Sequence, residues 1–353
     1  MAQIRNAAHL GGGLMRGGYS GYFILLSTAI VLAALLDLMT GSVALAPSDV
    51  FSYIFSGSEG QDSNSTLGVI VQFRLLKMLA ALMSGAALGC CGLLMQTLFR
   101  NPLADPYILG ISSASGLGVS IFVLGSSALG LGAGTMFHSL GIAGSALAGA
   151  FALALLIIYV SRRLKDNLSL LIFGIMVGSV AGAIITMLQY LSADSALKMY
   201  VLWTMGSFSG LSAQSIAALA VMLLAGLMLS VLSIKDLNTL LMGETYAQAI
   251  GLNTGRIKIK VLLAATFLAG GVTAFCGPIG FVGIAIPHVA RFIFRNSNHR
   301  VLLPASILLG AFVMLLVDMI STCPAGGVLI PVNTVAALMG IPVILAIILK
   351  NRK

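Results

Sequence analysis

The sequence predicts an all-α, polytopic membrane protein with about ten transmembrane helices, and three observations predict it. Hydrophobic residues make up 59% of the chain and charged residues only 8%, against roughly 25% charged in a soluble domain. The apolar residues gather in long runs of about 20, the length at which a helix crosses ~30 Å of hydrocarbon. The period-two alternation of an outer-membrane barrel is absent.

In order, the runs lie near 22–41, 76–98, 107–125, 137–160, 169–191, 212–233, 258–276, 280–295, 301–320 and 332–349. The first follows a 1–21 segment and is longer than a signal h-region. Its small-residue triplet Ala44-Leu45-Ala46 comes late and is followed by Pro47, so the run reads as a retained helix. Residues 42–73 form a polar outer loop through SGSEGQDSNST, with room for a short helix near Pro47 to Phe55. The second run has Arg74 and Lys77 at its outer start and carries Gly85 and Gly89. The third emerges from Pro102 and Pro106, which deny helix to the residues before them and remove two backbone donors. Arg162, Arg163 and Lys165 part the fourth run from the fifth, which carries Gly174, Gly178 and Gly182 on one face. Small residues at that spacing let helices approach closely in lipid, and ordinary packing within the chain explains them more simply than a dimer motif. The seventh run follows the longest inner loop. The eighth is short, glycine-rich and interrupted by Pro287, so a re-entrant element there would change the count. The ninth and tenth complete a single transmembrane domain, 1–353, with no linker to a second.

The positive charges orient the chain. With ten spans and a cytoplasmic N-terminus, 16 of the 19 Lys and Arg residues lie inside and only Arg74, Lys77 and Lys198 lie outside. That asymmetry places both termini, including segment 1–21, in the cytoplasm. It also accounts for the formal charge of +9 without a nucleic-acid partner. No phosphate-cradling G-x-x-x-x-G-K-[ST] pattern occurs, so any ATP hydrolysis belongs to another subunit. Cys90, Cys91, Cys276 and Cys323 lack metal spacing and read as small apolar packing residues, with no disulfide framework. His288 has no H-E-x-x-H companion for an intramembrane metalloprotease.

Three segments carry more than hydropathy. The polar hairpin Gln96 to Gly110, QTLFRNPLADPYILG, sets Arg100, Asn101 and Asp105 at a turn, after Arg74-Leu75-Leu76-Lys77 and AALMSGAALGCCGLLMQ. In the inner loop 235–257, Gly243 to Gly251 reads GETYAQAIG. There Glu244 lies near a helix start, Ala247 is small enough for close approach and Gly251 can end the helix. The third, Gly277 to Arg291, reads GPIGFVGIAIPHVAR and is followed by Asp318. His288 and Arg291 are three apart and share a helix face. Ionisable groups at membrane depth are costly and face protein or water.

In this order the segments resemble the FecCD-like permeases, the membrane subunits of ABC importers for iron-siderophores, haem and cobalamin. The likeness lies near 74–116, 243–251, 277–291, 310–318 and 331–342. It implies the type II importer architecture and a homodimer with the transport path on its axis. It also implies two cytoplasmic ATPases that use ATP and Mg, and an external or periplasmic substrate-binding protein. The setting is a bacterial or archaeal plasma membrane, the inner membrane if Gram-negative. By match to family positions, Gly243, Glu244, Ala247 and Gly251 couple to the ATPase, where a plain amphipathic surface helix is the simpler alternative. Asn101, Leu103 and Asn167 lie near the cytoplasmic gate, where loop capping serves equally. Arg74 and Lys77 receive the binding protein or, more simply, snorkel to headgroups. His288, Arg291 and Asp318 mark the fold more than the ligand. The implied cargo is an iron chelate, siderophore or haem, with cobalamin the alternative. This chain then transports without covalent chemistry and without a cofactor of its own. Departures bear on the cargo: R-L-P-R is here Arg74-Leu75-Leu76-Lys77, and L-P-x-G is Ile330-Pro331-Val332-Asn333. An ion-gradient-driven transporter is the rival from another class, but Asp37 and Asp318 are the only acids deep in apolar runs.

Overall fold

The computed structural model describes residues 18–41, 66–126, 138–164, 167–323 and 330–350. The expected helix near Pro47 to Phe55 lies outside them. The described helices are α1 Ser20–Met39, α2 Thr66–Leu98, α3 Ile111–Gly125, α4 His138–Ser161, α5 Asn167–Leu191, α6 Asp194–Met205, α7 Ala213–Leu232, α8 Ile234–Leu240, α9 Glu244–Ala249, α10 Thr254–Cys276, α11 Val282–Phe294, α12 His299–Thr322 and α13 Val332–Lys350. No strand occurs among the described residues. All ten expected runs are helical. Seven are long and apolar enough to span, while α3, α11 and α13 contain shorter apolar stretches.

The arrangement is a buried post inside a ring. Helix α2 has 33 residues, about 50 Å at 1.5 Å per residue, and its central turns are buried on every side. Helices α1, α4, α5 and α7 are apolar all round and leave large side chains such as Leu25, Leu155, Met176 and Leu224 exposed. Such surfaces suit lipid. What draws the inner helices together is the absence of side chains. A Cβ on Gly85 would lie 2.1 Å from the Gly310 carbonyl oxygen of α12, and one on Gly89 would lie 2.3 Å from that of Ser306. In lipid, where burial gives little drive for association, such backbone contact supplies the packing. On α5, Gly174 would meet the Leu109 carbonyl oxygen at 2.7 Å and Gly178 meets Ser113, but Gly182 faces open space. Both glycine patterns therefore serve packing within this chain.

Three boundaries differ from expectation. Helix α2 starts ten residues before the second run, because Arg74 and Lys77 are held inside the protein rather than left at the membrane edge. Helix α3 starts four residues late, after Gly110 in the left-handed region at φ 88°. The eighth run contains a 13-residue helix, α11, about 20 Å long and too short to cross the hydrocarbon.

The chain before α11 breaks at Gly277 (φ +77°), where a Cβ would fall 2.5 Å from the Trp203 carbonyl oxygen. Non-helical backbone at membrane depth persists only where protein covers it and satisfies its polar groups. Here the Ser207 N–H donates to the Cys276 carbonyl (2.9 Å), and the Gly280 N–H donates to Asn333 Oδ1 (3.1 Å). Asn333, one of the departures from the family pattern, thus caps the break. Within α11, Pro287 supplies no N–H to the Gly283 carbonyl one turn earlier. That oxygen instead faces Gly92, where a Cβ would lie 1.8 Å from it. Cys90, Cys91 and Cys276 are buried, Cys323 is exposed, and all four are free thiols.

Candidate functional site

The hairpin after α2 is held by a helix cap whose two carbonyls come from residues 96 and 97. Arg100 takes a left-handed conformation (φ 48°), its N–H donates to the Thr97 carbonyl (3.3 Å), and the Asn101 N–H donates to that of Gln96 (3.2 Å). This is the Schellman arrangement, here without the usual glycine. Asn101 Oδ1 then accepts from the Leu103 N–H (2.9 Å), which turns the chain toward Pro102 and leaves Leu103 exposed. Asp105 is buried and its carboxylate accepts only a long 3.4 Å bond from the Tyr107 N–H. In this loop between the spans, burial pushes the Asp105 carboxyl up to about 7, partly opposed by that bond.

The side chains of the same two residues, Gln96 and Thr97, bond to two other helices. Arg291 donates to Gln96 Oε1 (2.6 Å), and Gln96 Nε2 donates to the Ile284 carbonyl (3.1 Å), so α11 grips the last turn of α2. Thr97 Oγ1 lies 2.8 Å from His299 Nε2 at the start of α12, and His299 Nδ1 lies 2.8 Å from Asn238 Oδ1 on α8. His288 Nε2 stands 2.8 Å from the Pro102 carbonyl, which fixes it as the donor. His288 and Arg291 therefore brace the hairpin from one face of α11.

The inner loop folds as α8 and α9, clipped to the first turns of α10. Lys260 pairs with Asp236 at 3.3 Å and Lys258 with Glu244 at 2.9 Å. Gly243 (φ +118°) and Gly251 (φ +85°) flank α9 in conformations side chains rarely adopt, and the Leu252 N–H donates to the Ala247 carbonyl (3.0 Å). Ala247 has no exposed surface and faces the permease body. Leu241, Met242, Tyr246 and Ile250 are exposed beside Thr245 and Gln248, so the free face of the loop carries large apolar side chains among polar ones.

A third cluster joins α1, α2 and α12. Lys77 Nζ lies 2.9 Å from Asp318 Oδ2, with side chains 9% and 1% exposed. Arg74 Nη1 donates to the carbonyls of Leu38 (2.9 Å) and Met39 (3.2 Å) near the end of α1. Asp37 is buried within electrostatic reach of Asp318, Lys77 and Arg74. Both cations point inward, where carboxylate and carbonyl oxygens compensate them, rather than standing free at the membrane edge. Lys198, the third cation assigned outside, is exposed on α6. Lys77 and Asp318 also line a cavity of about 290 Å³ beside Ser207, Ser209 and Pro331.

The structure thus brings Asn101, Leu103, His288 and Arg291 together and gathers Gly243, Glu244, Ala247 and Gly251 in a second site. Asn167 begins α5, and its side chain lies outside the described residues. Four residues went unassigned in the sequence: Thr97, Asn238, Asn333 and His299. Asn298 caps α12, accepting from the Arg300 N–H (2.9 Å), and an Asn before an apolar run is the one local signal that could have found this cluster; nothing local pointed to Thr97.

Comparison with known proteins covers nearly all of the chain. A profile of the FecCD transport family matches residues 29–350. The vitamin B12 import system permease protein BtuC of Citrobacter koseri is 34% identical over 329 residues, spanning 93% of this chain and 94% of that protein. Its Salmonella typhi counterpart is 33% identical over 333 residues, 94% and 96% of the two chains. A metal-chelate type ABC transporter solved in an inward-facing conformation superposes with a TM-score of 0.77 at 27% identity, over 94% of this chain and all of the other. PsaBC from Streptococcus pneumoniae, in complex with Fab, shares the fold at a TM-score of 0.50 and 17% identity, over 78% of this chain and 90% of that one.

Proposed function

The chain belongs to the FecCD transport family, and from that premise we propose that it is the membrane subunit of an ATP-driven importer that carries a metal chelate across the plasma membrane. The family match from 29 to 350 carries the reading. The metal-chelate class is what the family's iron chelates and the vitamin B12 of the similar permeases have in common. At 34% identity, cobalamin is the first cargo to test and a ferric siderophore or haem the next.

In this reading the subunit works as a homodimer with two cytoplasmic ATPases, which use ATP and Mg, and an external binding protein. Both termini and the hairpin Gln96 to Gly110 face the cytoplasm, consistent with the positive-inside distribution. The ATPase seats on the exposed face of Leu241, Met242, Tyr246 and Ile250. Large apolar side chains exposed together on a water-facing loop mark a site for a partner. Ala247 keeps α9 close to the body, and the Glu244–Lys258 and Asp236–Lys260 ion pairs transmit displacement of α9 and α8 to α10. Asn101 and Leu103 stand at the cytoplasmic gate, and Asn167 near it by match to family positions. With Arg74 and Lys77 turned inward, other outer residues receive the binding protein.

The test is reconstitution in proteoliposomes with the ATPase and binding protein, offering labelled cobalamin, haem and a ferric siderophore in turn. Uptake of one of them that requires ATP inside is expected. Uptake that persists with a hydrolysis-dead ATPase and collapses with an ionophore would overturn the reading in favour of a gradient-driven carrier.

A further inference from the structure

The coupling loop and the hairpin at the gate are joined by a chain of hydrogen-bonding contacts through one buried histidine. Asn238 Nδ2 lies 2.9 Å from Asn298 Oδ1, which also accepts the Arg300 N–H. The Asn238 amide is thereby oriented with Oδ1 toward His299, where it meets both the backbone N–H and Nδ1 at 2.8 Å. An amide oxygen only accepts, so Nδ1 carries the proton. In the neutral ring Nε2 is then an acceptor, and the Thr97 hydroxyl, 2.8 Å from it and 2.9 Å from the Leu93 carbonyl, divides its one proton between the two acceptors. His299 is 1% exposed and Thr97 4%, so water does not compete for these bonds. The Thr97 carbonyl in turn holds the Arg100 N–H in the cap that starts the hairpin.

We propose that the Asn238–His299–Thr97 chain is the link that carries movement of the coupling segment to the hairpin at the gate, with His299 as a positioning residue that joins α8 to α2 through the start of α12. The proposal rests on the ATP-driven reading above. Its physical basis is geometry: α8 directly precedes α9, Thr97 lies at the start of the hairpin, and His299 bridges them in series. A displaced α8 must either drag Thr97 or break buried bonds, and unmade buried hydrogen bonds are expensive.

The two half-isosteres of histidine separate the links. His299→Asn keeps an N–H for Asn238 and loses Thr97. His299→Gln reaches Thr97 and gives up the Nδ1 contact. Thr97→Val removes the hydroxyl at constant shape. In the reconstituted complex, cargo taken up per ATP hydrolysed should fall in each variant by about tenfold, within the usual range of coupling between sites, while ATPase assembly stays at the wild-type level. A series link fails when either half is cut, whereas a merely space-filling histidine tolerates at least one conservative replacement. Wild-type uptake per ATP in any of the three overturns the proposal. Loss of assembly in all three overturns it too, because it assigns these bonds to folding. Absence of ATP-driven uptake in the wild-type complex would instead be a failure of the reading on which the proposal rests.

Discussion

Lys77→Met should destabilise the protein far more than the double replacement Lys77→Met with Asp318→Leu. The Lys77 and Asp318 charges stand 2.9 Å apart with almost no exposed surface. At an effective dielectric of about 20 their attraction is ~6 kcal/mol. Taking each ion out of water costs several kcal/mol, so the pair contributes little net stability. Removing one partner is different, because the cost of burying the other remains. Such truncations typically cost about 3–5 kcal/mol. The geometry adds an asymmetry. Lys77 stands within reach of two carboxylates, Asp318 and Asp37, while Arg74 is engaged by the carbonyls at the end of α1. Lys77→Met leaves both acids short of positive charge, whereas Asp318→Asn leaves Lys77 with Asp37, so Lys77→Met should be the worse single change. Thermal unfolding in detergent, followed by the monodisperse fraction on size exclusion, ranks the four proteins. Equal midpoints for the wild type and Lys77→Met, or a double variant no better than Lys77→Met, would refute the buried-pair assignment.

Gly85→Ala should cost about 1–3 kcal/mol, because its methyl must push α2 and α12 apart by more than ~1 Å, while Gly182→Ala, facing open space, should be neutral or slightly stabilising; the same melting assay compares them. Ala247→Trp should lower the yield of folded permease, since Ala247 is fully buried, whereas Tyr246→Ala should leave yield intact and weaken capture of the ATPase by pull-down. The reverse pattern would invert the assigned faces of α9. Reporter fusions after Lys165, near Gly251 and after Lys353 should report cytoplasm and one near Ser63 the outside; a cytoplasmic signal at Ser63 would refute the topology.

Much of this protein is legible in its sequence, because a membrane makes helix formation a local matter. Each span must satisfy its own backbone hydrogen bonds in hydrocarbon and be apolar along its length, so the apolar runs alone located ten helical segments. The coupling segment was equally readable: glycines at 243 and 251 mark the ends of α9, and both take positive φ. What the sequence left undecided is which way the polar side chains point. Arg74 and Lys77 read as an outer docking pair because charge at a span's end normally seeks water, and Ala247 read as a docking contact because it is small. Tertiary structure decided their surroundings: Asp318 and the carbonyls of α1 compensate the cations, and Ala247 is buried against the body. His299 likewise acquired partners from α2 and α8 that no local pattern announces. Lipid selects residues one at a time by their cost in hydrocarbon. A buried polar group is selected by the partner it meets, and that partner stands on another helix, so its identity exists only once the helices have packed.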